Sequence, residues 1–168
     1  VKVSANPKWI ALAGKPLIYY AIQKALDAFG DAYIVVSSED EEILSTAQLF
    51  GANIFKRNPV LSKDETTLDP VVFETLIKTE SKLGQRFDFV VTMQPTSPLL
   101  KVESLKSAFN KICNSDTDTI ISATNDTHLT WTKIGDKFSP NYAARVNRQQ
   151  LPSVFKESGG FLMTKREC

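Results

Sequence analysis

The order of segment types in the sequence predicts an α/β protein: a mostly parallel sheet covered on both faces by helices, with antiparallel additions near the C-terminus. Three observations predict it. Short β-rich runs alternate with longer runs of helical periodicity. The runs Ala32–Ser38 and Phe87–Met93 have too little polar alternation for a strand with one face in water, so they read as buried on both faces. Past Thr124 the alternation breaks, with WTKI and GGFLMTK reading as strands around segments interrupted by Pro140 and Pro152.

Each element has a local reason. Pro16 suits a first helical turn and opens LIYYAIQKALDAF, where Leu17, Ala21, Ala25 and Ala28 form a stripe flanked by Ile22, Leu26 and Phe29; Gly30 suits its stop. After the strand AYIVVSS, the acidic cluster Glu39–Glu42 opens a second helix, because carboxylates are favoured at a helix's positive end. Ile43, Leu44, Ala47 and Phe50 share one face of it, and Gly51 closes it before the strand ANIFKR. Asp69 and Pro70 start a third helix through VVFETLIKTESKL, and FDFVVTM follows as a strand. Gln94-Pro95-Thr96-Ser97-Pro98 is a loop, since its prolines continue neither element. A helix over about Val102 to Asn114 and the strand DTIISAT complete the alternating part.

Composition narrows the class. With 168 residues the chain is one domain of ordinary size, able to bury roughly 70% of its unfolded surface without a disulfide or metal staple. Twenty Lys and Arg against nineteen Asp and Glu leave a net charge of +1, which argues against a general nucleic-acid or acidic-membrane binder. Two cysteines, Cys113 and Cys168, make neither a disulfide framework nor a zinc knuckle, so a reducing, cytoplasmic setting is expected. No apolar run reaches the ~20 residues of a membrane helix, and VKVSANPKWI lacks a signal-peptide core.

In open α/β sheets, ligands bind beyond the carboxyl ends of the strands. That rule singles out Val36–Glu39, Lys56–Asn58, Met93–Pro98 and Ala123–Asp126. It locates a cleft without naming a ligand.

Four stretches together resemble the acylneuraminate cytidylyltransferases, which make CMP-activated sialic acids and related nine-carbon keto-sugar acids. LAGKPLIYYAI resembles the segment opening the family's first helix. VVSSEDEEILSTAQLFGANIFKR is similar to its strand, acidic helix start, Gly-Ala and strand ending in Arg. VVTMQPTSPLL matches its Q-P-T-S-P loop, and RVNRQQLPSVFKESGGFLMTKRE resembles a later segment of the form N-R-Q-x-L-P. The resemblance covers nearly the whole chain. Q-P-T-S-P behind a buried strand is fairly specific, whereas A-G-K-P-L alone recurs in many sugar nucleotidyltransferases.

The resemblance implies a Rossmann-like, three-layer nucleotide-diphospho-sugar transferase fold. It implies transfer of CMP from CTP to the anomeric hydroxyl of a nonulosonic acid, with release of pyrophosphate. Such displacement rests on positioning and on spreading charge through Mg²⁺ and basic groups. A homodimer follows from the resemblance alone. Arg57 falls where the family places an arginine on the nucleotide; its planar fork suits a pyrimidine edge or a phosphate. Thr67 aligns, across a one-residue gap, with a Ser/Thr that hydrogen-bonds the base, and would otherwise cap a helix. Gln94 belongs to the sugar-binding loop, where an amide both donates and accepts. Arg148 and Gln149 match the N-R-Q stretch, near the sugar acid or the subunit contact; an arginine suits a substrate carboxylate or an interface ion pair. Ser37 and Glu39–Glu42 are assigned to helix capping, and His128 to a solvated loop.

Two departures stand out. The family's ARGGSKG-type phosphate loop has no counterpart between Val3 and Asn6, although both flanks are present, which reads as an omitted loop; nor has the asparagine that precedes the A-G-K segment, near Lys8 and Trp9. The family's later D-x-D stretch, whose aspartates ligate Mg²⁺, has no match either. Asp64, Asp69, Asp126 and Asp136 show no metal-ligand spacing, so no metal ligand and no catalytic residue is named. Two alternatives stay open: a relative that binds nucleotide or sugar acid without turnover, and a nucleotidyltransferase for another sugar.

Overall fold

The computed structural model describes residues 11–63 and 65–167. The expected omission between Val3 and Asn6, the region of Lys8 and Trp9, Asp64 and Cys168 lie outside them. The chain divides into two compact units. One runs to Ile120 and resumes at Gly159; the other is Ile121–Ser158.

The first unit begins with a minimal hairpin, β1 (Ala11–Leu12) and β2 (Lys15–Pro16). Its two-residue turn places Ala13 and Gly14 at φ 48° and 75°, the left-handed conformations that a tight hairpin demands and that glycine adopts without strain. Helix α1 (Leu17–Ala28) follows at once, with Pro16 as its N-cap. Its Ile22 packs with Ala47 and Ala52 from helix α2 (Glu41–Leu49) and the turn behind it, while Ala28 and Phe29 at its far end lie against a second cluster. Gly51, at φ 89°, makes the turn out of α2.

Strands β3 (Val35–Ser38) and β4 (Asn53–Lys56) pair in parallel, Val35 opposite Asn53 and Ser38 opposite Lys56. Full burial of β3 does not hold: Ser38 is buried, but Val35, Val36 and Ser37 are half-buried. The reason is that β4, the strand's one ladder partner among the described residues, exposes Asn53, Ile54 and Lys56. Beyond a short 3₁₀ turn (Pro59–Ser62), helix α3 (Leu68–Leu83) buries polar Thr75, Thr79 and Glu80 rather than an apolar stripe, and ends at Gly84 in a left-handed cap.

Strand β5 (Phe89–Met93) is half-buried along its length and pairs antiparallel with β9 (Phe155–Lys165), Phe89 opposite Lys165 and Met93 opposite Phe161. On the other edge of β9 lies β6 (Thr119–Asn125). The hydroxyl pairs Thr119–Thr164 (2.7 Å) and Ser122–Ser158 (2.9 Å) run in opposite senses along the two strands, so this contact is antiparallel as well. β9 is thus the antiparallel addition expected near the C-terminus, inserted between two strands that run alike. Helix α4 (Val102–Cys113) seals this sheet with Leu105, Ala108 and Ile112 against Phe161 and Met163.

One ion pair closes the unit. Arg166 meets Glu80 through two N–H···O contacts of 3.1 and 3.2 Å, and the Phe87 amide donates to the same carboxylate at 3.1 Å. These bonds, Arg166 first, hold the Glu80 carboxyl below its ordinary pKa.

The second unit carries the hairpin β7 (Trp131–Ile134) and β8 (Lys137–Pro140), with Gly135 at φ 60° in the turn and Trp131 edge-on to Tyr142. Buried Thr127 accepts from the Val154 amide (2.9 Å), and a 3₁₀ turn covers Arg148–Gln150. No helix among the described residues is long and apolar enough to cross a membrane.

Candidate functional site

The carboxyl ends of β3 and β4 hold one arginine firmly. Parallel pairing carries past the last ladder residues, so the Arg57 amide donates to the Ser38 carbonyl at 2.9 Å. The side chain then folds back over the neighbouring strand: Nη2 donates to the Ser37 carbonyl at 2.9 Å and lies 3.5 Å from Glu39 Oε2. It is 23% exposed. Two buried polar atoms at this tip, Arg57 Nε and Ser37 Oγ, have no hydrogen-bond partner among the described residues. Buried polar atoms are rarely left so, which marks this tip as one where a further hydrogen-bonding partner would be favoured.

The acidic cluster behind Ser38 divides its work. Asp40 is the N-cap of α2, accepting from the amides of Glu42 (2.9 Å) and Ile43 (3.3 Å), and Ser38 Oγ accepts from the Asp40 amide (3.1 Å). Glu41 pairs with Lys56 in the open. Glu39 precedes the cap and faces Arg57 instead, so its assignment to capping is corrected. The spacing of an acid run cannot say which carboxylate turns back toward a neighbouring strand.

Gln94 leaves the end of β5. Its carbonyl accepts from the Ser97 amide (3.3 Å), and the Ser97 carbonyl accepts from the Leu100 amide (3.1 Å), so the Q-P-T-S-P segment is two linked turns. The Gln94 side chain lies over Gly159, which has φ 67°; a Cβ there would stand 3.4 Å from Gln94 Oε1. Gly159 is thus part of the tip, though nothing in the sequence separated it from its neighbour Gly160. Lys24 of α1 is a second such residue: its ammonium donates to the Pro98 carbonyl at 2.5 Å.

Thr67 occupies the N-cap position of α3, but its side chain caps no amide; it is exposed. No hydrogen bond or ion pair joins Arg57, Thr67 and Gln94 to one another. All three belong to the first unit, Arg57 and Gln94 just past the carboxyl ends of β4 and β5. The starts of β3 and β5 lie together, with the rings of Tyr33 and Phe87 6.1 Å apart. Arg148 and Gln149 are exposed in the second unit, and His128 is there too, 3.3 Å from Asp126. Among the described residues no three His, Cys, Asp or Glu side chains gather as a metal site.

Arg57 and Gln94 thus stand past strand ends, where mixed α/β folds hold their ligands, and comparison with known proteins defines the class. The cytidylyltransferase family pattern matches residues 9–165, and the chain belongs to that family. It is 29% identical over 164 residues to N-acylneuraminate cytidylyltransferase B of Danio rerio, an alignment covering 94% of this chain and 37% of that one. It is 35% identical over 116 residues to a pseudaminic acid cytidylyltransferase of Campylobacter jejuni, covering 68% and 50%. To a CMP-N,N'-diacetyllegionaminic acid synthase of Legionella pneumophila it is 36% identical over 98 residues, covering 58% and 42%. The chain therefore spans roughly a third to a half of the length of these relatives.

In fold it is similar to a CMP:2-keto-3-deoxy-manno-octonic acid synthetase solved with CTP, at TM-score 0.65 and 14% identity over 96% of this chain and 68% of that one. The 4-diphosphocytidyl-2C-methyl-D-erythritol synthase of Anaerococcus prevotii gives TM-score 0.65 and 17% identity over 94% and 65%. The Rossmann-like nucleotidyltransferase architecture expected from the sequence is the one found.

Proposed function

We propose that this chain is the core of an enzyme that transfers CMP from CTP to the anomeric hydroxyl of a sialic-acid-like nonulosonic acid. The observation that carries the reading is the family match across residues 9–165, which takes in both strand tips. The relatives named for neuraminate, pseudaminate and legionaminate share one acceptor chemistry, a nine-carbon keto-sugar acid.

In this reading the acceptor hydroxyl oxygen bonds to the α-phosphorus of CTP and gives up its proton to solvent, the bond from that phosphorus to the bridging oxygen breaks, and pyrophosphate leaves with the electron pair. Arg57 binds the nucleotide. Its guanidinium is already fixed by the Ser37 carbonyl, so little side-chain freedom is lost when a ligand oxygen pairs with the unsatisfied guanidinium. Thr67 offers its uncapped hydroxyl to the base. Gln94 orients the sugar acid through its amide, and Arg148 with Gln149 serves the substrate carboxylate or a partner subunit. The relatives' chemistry implies Mg²⁺, which when bound would neutralise charge on the phosphates. The described acids do not assemble its ligand set. A homodimer and a cytoplasmic setting belong to the same proposal.

The test is pyrophosphate release from each of the four nucleoside triphosphates with N-acetylneuraminate, N,N'-diacetyllegionaminate and pseudaminate. Release with CTP and at least one acid is expected. No release from CTP with any of them, using the full-length protein, overturns the reading.

A further inference from the structure

Lys24 is the one residue of helix α1 that reaches the Q-P-T-S-P loop by a hydrogen bond. Its ammonium donates to the Pro98 carbonyl at 2.5 Å, across 74 positions of sequence. It also lies 5.3 Å from the centre of the Tyr20 ring, one helical turn earlier. The Tyr20 hydroxyl in turn donates to the Leu12 carbonyl in the hairpin ahead of α1. No carboxylate among the described residues pairs with Lys24. A half-buried ammonium held by a ring face and a single carbonyl is an uncommon arrangement, since a lysine on a helix usually sends its charge into water or to an acid.

From this geometry we infer that Lys24 is a positioning residue: braced on the Tyr20 ring, it ties the loop carrying Gln94 to the first helix and so fixes where the Gln94 amide stands. The loop needs such a tie. Pro95 and Pro98 lack amide hydrogens, and among the described residues two backbone turns, at Ser97 (3.3 Å) and Leu100 (3.1 Å), hold it internally. Gln94 itself rests on a glycine, which offers no side chain to wedge it. An ammonium-to-carbonyl bond is stronger than a neutral one and is aimed here at the loop's far end.

The inference rests on the proposed role of Gln94, so its test has an arm that does not depend on turnover. Lys24→Met keeps the aliphatic stem and removes the charge; Lys24→Arg restores a donor. Amide hydrogen exchange in the full-length protein should show Ser97 and Leu100 exchanging roughly tenfold faster in Lys24→Met, with α1 and α4 unchanged and Lys24→Arg close to the parent. Equal exchange in parent and Lys24→Met overturns the tie. In steady-state assays with whichever of the three acids is turned over, Lys24→Met should raise KM for the acid about tenfold while KM for CTP stays within twofold. A rise in both KM values together, or in neither, overturns the positioning role. Absence of turnover with every acid in the parent protein sinks the proposed function instead, and the exchange arm still decides the tie.

Discussion

Every buried apolar side chain among the described residues belongs to one of the two units, although that unit exposes leucines such as Leu49 and Leu99 as well. In the unit that holds Arg57 and Gln94, Leu105, Ile112 and Met163 are fully buried. In the unit of residues 121–158, Trp131 is 52% exposed, Ile134 and Phe138 are 66% exposed, and Val154 and Phe155 lie open as well. The difference is architectural. The amphipathic helix α4 closes a stripe over its sheet, whereas a two-stranded hairpin has no layer of its own to close over it. The first unit is held by packing, and the second by polar contacts such as those of Thr127 and Asn141.

The largest expected effect breaks that contrast directly. Leu105→Ala should cost about 2–5 kcal/mol in urea denaturation, the range for truncating a buried leucine. Phe138→Ala should stay within about 0.5 kcal/mol, as befits an exposed site. A Phe138→Ala cost comparable to that of Leu105→Ala would mean the hairpin face is covered in solution.

Next in size is Arg57→Lys, which keeps the charge and loses the planar fork. It should lower kcat/KM for CTP roughly a hundredfold with little change in unfolding midpoint. An unaltered kcat/KM would move the nucleotide away from β4.

The Glu80–Arg166 pair sharpens the comparison through pH. Because the folded carboxyl titrates below its unfolded value, the pair's stabilisation is complete above the ordinary glutamate range. It is lost as pH falls through the depressed folded pKa. Denaturation midpoints of the parent and Glu80→Gln should therefore differ most at neutral pH and converge on acidification. A gap that is constant with pH would show that packing, not charge, is what Glu80 supplies.

Smallest is Gly159→Ala. The left-handed backbone at φ 67° and the 3.4 Å approach to Gln94 Oε1 predict a loss of about 1 kcal/mol. They also predict a several-fold higher KM for the sugar acid, read in the same assays; a stability loss without that KM change would separate Gly159 from the site.

Much of the first unit was legible because periodicity and local punctuation agree there. The apolar stripe of α1, the acidic start of α2 at Asp40 and the strand FDFVVTM each fall close to where the residues place them. α3 was legible in extent but not in what it buries. Its buried face is Thr75, Thr79 and Glu80, and a polar buried face leaves no hydrophobic signal. In the second unit, WTKI was legible as a strand from its β-formers, while its partner Lys137–Pro140 was hidden by a terminal proline and a charge. At the strand tips, Arg57 and Gln94 stood out through motif; Glu39 lay in a strand end that the sequence singled out but was assigned to capping, and Lys24 and Gly159 did not stand out. Their parts depend on contacts between segments far apart in sequence, which no local pattern encodes.

The claim on which the account turns is that the Arg57 and Gln94 tips serve one bound substrate pair. Side-chain NMR of Arg57 Nε–H and the Gln94 amide during titration measures it most directly. CTP should shift the Arg57 resonance, and a nonulosonic acid added afterwards should shift that of Gln94. CTP binding that leaves Arg57 Nε–H unmoved, with shifts confined to residues away from the ends of β3 and β4, would contradict it.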